Sequence, residues 1–136
     1  MAGKCIRPGR KWFATTRPYN VSLRHESVGR LCPSKGLKFG IYTAPGRKTC
    51  AFCTGSEGFE KQDIQTFVDW GVDFIKLDWC GWVKDDYKTV LAKWRKIIDE
   101  NGRPIVLSIN FHRGDDYSVH RKYANMYRTT TDIRRV

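Results

Sequence analysis

From residue 36 onward, short apolar runs alternate with stretches in which apolar side chains recur every three or four positions. The apolar runs, bounded by Gly, Pro or polar residues, predict four strands over residues 38–43, 72–78, 104–110 and 126–133. The three- and four-residue spacing predicts helices that open at Ser56, Tyr87 and Tyr117 and end before Gly71, before Gly102 and at Ala124. Strands that alternate with helices of this length form parallel βαβ units. The pattern therefore predicts an α/β fold.

Residues 1–33 lack this pattern and are strongly basic. The net charge of the chain is +11, and residues 1–35 contribute +7 of it, from eight Lys/Arg against the single acid Glu26. Pro33 interrupts the helical pattern just before the first predicted strand. We predict a basic N-terminal extension of uncertain order over residues 1–33 and a folded unit over 34–136.

The basic excess also suggests a second class of function, a non-catalytic basic module that binds an anionic partner. No helix-turn-helix, RNP or zinc-finger spacing is present. Nucleic acid is therefore not the partner that we expect.

Length and composition limit the classes of protein further. The chain has 136 residues, of which 40% are apolar, enough for one domain with a core. No apolar run approaches the roughly 20 residues of a membrane span, and the N-terminus lacks the continuous apolar segment of a signal peptide. We therefore expect no membrane association.

Five cysteines raise the question of redox or metal chemistry. Cys50 and Cys53 form a C-x-x-C pair, but a turn-like Thr-Gly-Ser follows where a redox motif has a helix N-terminus. No second C-x-x-C and no H-x₃₋₅-H spacing supplies further zinc ligands, and no cysteine flanks His112 or His120. We therefore predict no metal site.

A polar residue ends each predicted strand: Tyr42, Asp78, Asn110 and Asp132. Active sites of parallel α/β proteins form at that end of the sheet. Because side chains alternate along a strand, Lys76 points the same way as Asp78, and Arg128 the same way as Asp132. Burying charges costs several kcal/mol per ion before compensation, so we interpret these pairs as functional.

Two carboxylates at neighbouring strand ends suit glycoside hydrolysis. One attacks the anomeric carbon while the other, held protonated, donates a proton to the leaving oxygen. Tyr42, Trp79 and Trp82 offer aromatic faces to sugar rings. Spacing alone leaves aldolases, isomerases and metal-dependent hydrolases as alternatives.

Longer motifs narrow the choice, because they follow one another in the order found in a single enzyme family. They are Gly36-Leu-Lys-Phe-Gly-Ile-Tyr42, Lys48-Thr-Cys50, Gly55-Ser56, Asp63-x-Gln-Thr-Phe67, Trp70-Gly-Val-Asp-Phe-Ile-Lys-Leu-Asp-Trp-Cys80, Arg103-Pro-Ile-Val-Leu-Ser108 and Arg128-Thr-Thr-Thr-Asp-Ile133. Over residues 34–133 the chain resembles glycoside hydrolase family 27, which contains the α-galactosidases (melibiases) and α-N-acetylgalactosaminidases. The resemblance implies a partial (β/α)8 TIM barrel whose four parallel βα units resemble strands three to six. It makes residues 34–136 a partial glycosidase catalytic domain.

The resemblance also implies a reaction, the cleavage of terminal α-galactosyl residues through a covalent glycosyl-enzyme. Asp78 matches the family's nucleophile and Asp132 its general acid/base. In a retaining mechanism of this kind, the two carboxyl groups lie about 5–5.5 Å apart. No metal or cofactor is expected.

Other positions match the sugar-binding residues of the family. Lys76 and Arg128 match positions that bind sugar hydroxyls, Tyr42 lies at the end of a strand that lines the pocket, and Asn110 matches the position that contacts the group on C2. Cys50 and Cys80 match a family disulfide. α-N-Acetylgalactosaminidase and β-arabinopyranosidase specificities stay open.

Four matching strands are half of a (β/α)8 barrel. Half a barrel leaves two open strand edges and an uncovered interior, so we expect low or no activity from the chain alone and self-association through the open edges. The resemblance implies a secreted or lysosomal protein, although the sequence shows no signal peptide.

Overall fold

The computed structural model describes residues 21–80, 82–110 and 116–130, with side chains from residue 27 onward. The strands in these ranges are β1 (Gly40–Thr43), β2 (Phe74–Leu77), β3 (Val106–Ile109) and β4 (Met126–Tyr127), and the helices are α1 (Val21–Ser34), α2 (Glu60–Asp69), α3 (Tyr87–Glu100) and α4 (Tyr117–Tyr123). The strands form one parallel sheet in the order β1-β2-β3-β4. This alternation confirms the predicted α/β fold.

The core lies between one face of the sheet and the helices. Ile75 and Leu77 of β2 and Leu107 of β3 point to this face and are buried. The stripe predicted for α3 covers them, and its buried residues are Val90, Leu91, Trp94, Ile97 and Ile98. The opposite face of the sheet, here called the inner face, carries the side chains of alternate parity. In a barrel, this face lines the interior.

Helix α2 ends as predicted but begins later. Gly71, with φ +74°, follows the helix, and its N–H donates to the carbonyl of Val68. The start was predicted at Ser56, but α2 begins at Glu60. The difference arises because Ser56 is tied to the end of β1: its N–H donates to Ala44, and its hydroxyl hydrogen-bonds Thr43 at 2.8 Å.

Helix α1 differs from the prediction, since no helix was expected before β1. Pro33 lies in the last turn of α1, one residue before its end, where little helix remains for the proline to interrupt. At Gly29, α1 approaches the turn after α2 so closely that a Cβ would lie 1.9 Å from the carbonyl oxygen of Trp70. The boundary between 33 and 34 stays a prediction.

Strand β4 is shorter than predicted. The pattern suggested a strand over 126–133, whereas β4 comprises Met126–Tyr127, and residues 131–136 lie outside the described part of the chain. Among the described residues, no helix is both long and apolar enough to cross a membrane.

Candidate functional site

The parallel register arranges the predicted site residues in two rows on the inner face. Lys76 pairs with Tyr42 on one side and with Ser108 on the other, and Ser108 pairs with Met126. These four form the middle row. An upper row lies two residues further along, at the carboxyl ends of β2, β3 and β4, and contains Asp78, Asn110 and Arg128.

The carboxylate of Asp78, in the upper row, accepts hydrogen bonds from two other site residues. The hydroxyl of Tyr42 donates to its Oδ2 at 2.7 Å, and Nδ2 of Asn110 donates to its Oδ1. The backbone N–H of Asp78 donates to the carbonyl of Thr43 at 2.9 Å, which continues the pairing of β2 with β1. Donors from both neighbouring strands therefore orient the carboxylate.

Tyr42 keeps its proton over a wide pH range. Although the residue is 45% exposed, its hydroxyl lies against Asp78 and 3.3 Å from the sulfur of Cys80. Burial of the hydroxyl, its hydrogen bond to Asp78 and the negative charge of Asp78 raise the pKa of Tyr42 to about 12. Tyr42 is therefore a donor to Asp78 at neutral pH.

A disulfide between Cys50 and Cys80 confirms the predicted pairing and joins the loop after β1 to the loop after β2. The two Cα atoms are 5.1 Å apart, and Sγ of Cys50 lies 3.8 Å from Oδ2 of Asp78. The two sulfurs and a carboxylate oxygen of Asp78 all lie within 4.8 Å of one another. Because the sulfurs are bonded to each other, they offer no thiolate to a metal ion.

An aromatic cluster of Trp79, Tyr87 and His120 contacts the site through Asn110 and was not predicted. Tyr87 of α3 packs against Trp79 with 4.8 Å between ring centroids, and its hydroxyl lies 2.8 Å from Nε2 of His120. The same hydroxyl donates to the carbonyl of Asn110 at 3.5 Å. His120 is fully buried. A signal was present in the sequence, since Tyr87 lies on the apolar stripe of α3, but nothing indicated which helix it would meet.

The structure gathers most of the predicted site residues around Asp78. Tyr42, Asn110, Cys50 and Cys80 lie within a few ångströms of it or of its partners. The strand register places Lys76 and Arg128 on the same inner face as Asp78. Asp132 lies outside the described residues, so its distance from Asp78 stays a prediction.

The middle row also contains two residues that were not predicted. Ser108 is buried and Met126 is 55% exposed. Met126 lies two residues before Arg128, and side chains alternate along a strand. The sequence alone could therefore have placed Met126 on the inner face.

The sequence profile of the Melibiase_2 family, described as Alpha galactosidase A, matches residues 16–135. The chain belongs to this family. The match confirms the resemblance and extends it beyond residues 34–133, to include the region of α1. The partial-barrel fold is likewise confirmed, because solved α-galactosidases superpose on the chain.

Individual members of the alpha galactosidase A family are similar over three quarters of the chain. Alpha-galactosidase A of Cellvibrio japonicus is 39% identical over 101 residues, which are 74% of this chain and 25% of that protein. Alpha-galactosidase A of Homo sapiens is 39% identical over 111 residues, with the same two shares. The crystal structure of alpha-galactosidase I from Mortierella vinacea has a TM-score of 0.72 at 25% identity, covering 79% of this chain and 29% of that one. The chain thus spans about a quarter of the length of these relatives.

Proposed function

We propose that this chain carries the two catalytic carboxylates of a retaining α-galactosidase, with Asp78 as nucleophile and Asp132 as general acid/base. The observation that supports it most directly is the environment of Asp78. Its carboxylate stands at the carboxyl end of β2 and is oriented by donors from the ends of β1 and β3. A nucleophile needs this fixed orientation, because the attacking oxygen must meet the anomeric carbon in line.

The reaction follows in two steps. An oxygen of Asp78 attacks the anomeric carbon while Asp132 protonates the leaving glycosidic oxygen, which gives a glycosyl ester on Asp78. Asp132, now a carboxylate, then takes a proton from water as that water attacks the ester. The sugar is released with its anomeric configuration retained, and both carboxyl groups return to their starting states.

The remaining inner-face residues would bind the sugar. Lys76 and Arg128 offer cationic donors to hydroxyl groups, and Tyr42 lies beside the nucleophile. Asn110 is the residue that we assign to the group on C2. Terminal α-galactosides are the expected substrates, and a panel of chromogenic α-galactoside, α-N-acetylgalactosaminide and β-arabinopyranoside substrates distinguishes this specificity from its two alternatives.

We expect the chain alone to be a slow catalyst. The described sheet has four strands, half the number of a closed (β/α)8 barrel, so the described residues supply half of the ring of strand ends that holds a sugar. Positioning supplies up to roughly 7–11 kcal/mol of barrier reduction in favourable cases. A test of the nucleophile should therefore not depend on many turnovers.

Trapping the glycosyl-enzyme meets this need. A fluorinated α-galactosyl fluoride, which forms the ester readily and hydrolyses slowly, should add one glycosyl mass to the chain. Peptide mapping should place the adduct on Asp78, and Asp78→Asn should abolish it because the amide cannot attack. Asp85→Asn, at an exposed position in the loop after β2, is the matched control and should keep it.

The same reagent separates the roles of the two acids. Fluoride leaves without protonation, so Asp132→Asn should still be trapped by the glycosyl fluoride while losing reactivity toward a galactoside with a poor leaving group. An adduct on another residue, or an adduct that persists in Asp78→Asn, would contradict the assignment.

A further inference from the structure

Both outer edges of the sheet are open among the described residues, since β1 and β4 each have one strand neighbour. The carbonyls of Phe39 and Thr43 accept hydrogen bonds from Phe74 and Asp78, so the odd-numbered residues of this segment face β2. Gly40 and Tyr42 therefore direct their peptide N–H and C=O groups to the open edge. An edge of this kind is a template for another parallel strand.

Several large side chains of the inner face are exposed as well. Val106 of β3 is 41% exposed and Met126 of β4 is 55% exposed, whereas Leu107, which points to the helices, is fully buried. Tyr42, in the same row as Met126, is 45% exposed. The inner face thus presents the exposed side chains of Tyr42, Val106 and Met126 between edges that are unpaired in the described part of the chain.

We propose that two copies of this 136-residue chain close one eight-stranded barrel. A two-fold axis along the barrel keeps all strands parallel and brings β4 of each copy beside β1 of the other. The four described strands of each copy give eight, the number in a closed (β/α)8 barrel. The proposal does not rest on the proposed glycosidase function, because it concerns only edges and the inner face.

The symmetry of this arrangement favours a second copy of the chain as the partner at both strand edges. Among the residues that the structure describes, each copy has one open edge on β1 and one on β4, both of the parallel type. Pairing at one edge alone would leave the other free and would propagate into an open chain of copies. The two-fold closure satisfies both edges at once, stops at the dimer, and encloses Val106 and Met126 of both copies.

The test compares exposed apolar positions inside and outside the inner face. By analytical ultracentrifugation at about 100 µM, where a weak interface of about 10⁻⁵ M is largely populated, the chain should have twice its mass of 15.8 kDa. Met126→Glu and Val106→Glu should each raise the dissociation constant by at least about tenfold. Either substitution would enclose two carboxylates in the barrel, one from each copy. Phe52→Glu, the same charge change at an 82% exposed loop position, is the control and should leave the dimer intact.

A second measurement locates the interface and guards against loss of folding. In hydrogen exchange, the amides of Gly40 and Tyr42 should become protected as the concentration rises, and the circular dichroism of all variants should match that of the parent. A monomer at every concentration would overturn the proposal. A dimer that withstands both glutamates, or open-ended assemblies in place of a dimer, would overturn it as well.

Discussion

At the scale of single residues, the hydroxyl of Tyr42 links the nucleophile candidate to the disulfide. It donates to Asp78 and lies beside the sulfur of Cys80. The raised pKa of Tyr42, about 12, means that this donor persists well above neutral pH. Since a phenol favours its neutral form next to a carboxylate, Tyr42 reports on the charge of Asp78.

We expect Asp78→Asn to lower the pKa of Tyr42 from about 12 toward, but not to, its ordinary value of 10.0. The carboxylate's hydrogen bond and charge are lost, whereas burial of the hydroxyl remains. The ¹³Cζ shift of Tyr42 during an alkaline titration measures this change, and Tyr42→Phe identifies the signal. Asp85→Asn should leave the titration unchanged; an equal shift in both variants would show that Asp78 is not the cause.

The same pKa predicts how stability depends on pH. The folded state holds the proton of Tyr42 to a higher pH than the unfolded state does. Its contribution is therefore complete below about pH 10 and is lost as the pH rises toward 12. In Asp78→Asn, this stability should be lost over a narrower pH range, because the upper limit of the range falls with the pKa of Tyr42.

How far sequence reasoning reaches at this scale depends on the kind of contact. Strand parity was enough to place Lys76 and Asp78 on one face, because the alternation is intrinsic to a strand. Parity does not show that Tyr87 would meet both His120 and Asn110, since that contact depends on how α3 and α4 pack. Contacts between elements distant in sequence need the fold itself.

At the scale of elements, Arg103 joins the segments that lead into the strands. Its Nε donates to the carbonyl of Val72 at 2.9 Å, and its Nη2 donates to the carbonyl of Gly71 at 3.0 Å. Nη2 also pairs with Asp73 at 2.9 Å, and Asp73 in turn accepts from the N–H of Phe39. The guanidinium thus ties the loop before β3 to the starts of β2 and β1.

Arg103→Ala should lower the free energy of unfolding by about 1–3 kcal/mol, because it leaves Asp73 and two carbonyls without this donor. Urea denaturation measures the change. Lys96→Ala is the matched control: its ion pair with Glu100 is exposed, and we expect a loss below about 0.5 kcal/mol. Equal effects of the two substitutions would contradict the role of Arg103.

Acid should reduce the difference between Arg103→Ala and the parent. Burial acts to raise the pKa of Asp73, but the Phe39 N–H, Lys38 and Arg103 together hold it below the ordinary 3.8. The stability from this carboxylate is therefore present above about pH 4 and is lost as the pH falls through the lowered pKa. Denaturation at about pH 7 and at a series of pH values below about 4 follows this loss.

Element order was predictable and element ends were less so. Hydrophobic periodicity and the turn residues between the apolar runs identified β1 to β4 and α2 to α4, and the clearest signal was the buried apolar stripe of α3. Helix α1 was missed because its close approach to the rest of the fold is made at Gly29, which has no side chain, whereas Val28 and Leu31 are exposed. The later start of α2 has a similar origin, since Ser56 bonds to the end of β1 in preference to opening the helix.

At the scale of the whole molecule, charge and apolar surface act against each other. The net charge of +11 makes two copies repel, whereas the proposed dimer would be held by exposed side chains of the inner face and by strand edges that are open among the described residues. Repulsion between exposed charges is screened over a Debye length of about 10 Å at 0.1 M salt, while apolar burial is not weakened by salt. The strength of association should therefore change with ionic strength, and the direction of the change shows whether apolar contact or attraction between opposite charges holds the copies together.

We expect the dimer to tighten when sodium chloride is raised from about 20 mM to about 200 mM, with a several-fold lower dissociation constant. Sedimentation equilibrium at the two salt concentrations measures it. Phe52→Glu, which lowers the net charge by one unit outside the inner face, should show a slightly smaller salt effect because it begins with less repulsion. Association that weakens with added salt would mean that attraction between opposite charges, and not apolar contact, holds the copies together, which would contradict this prediction.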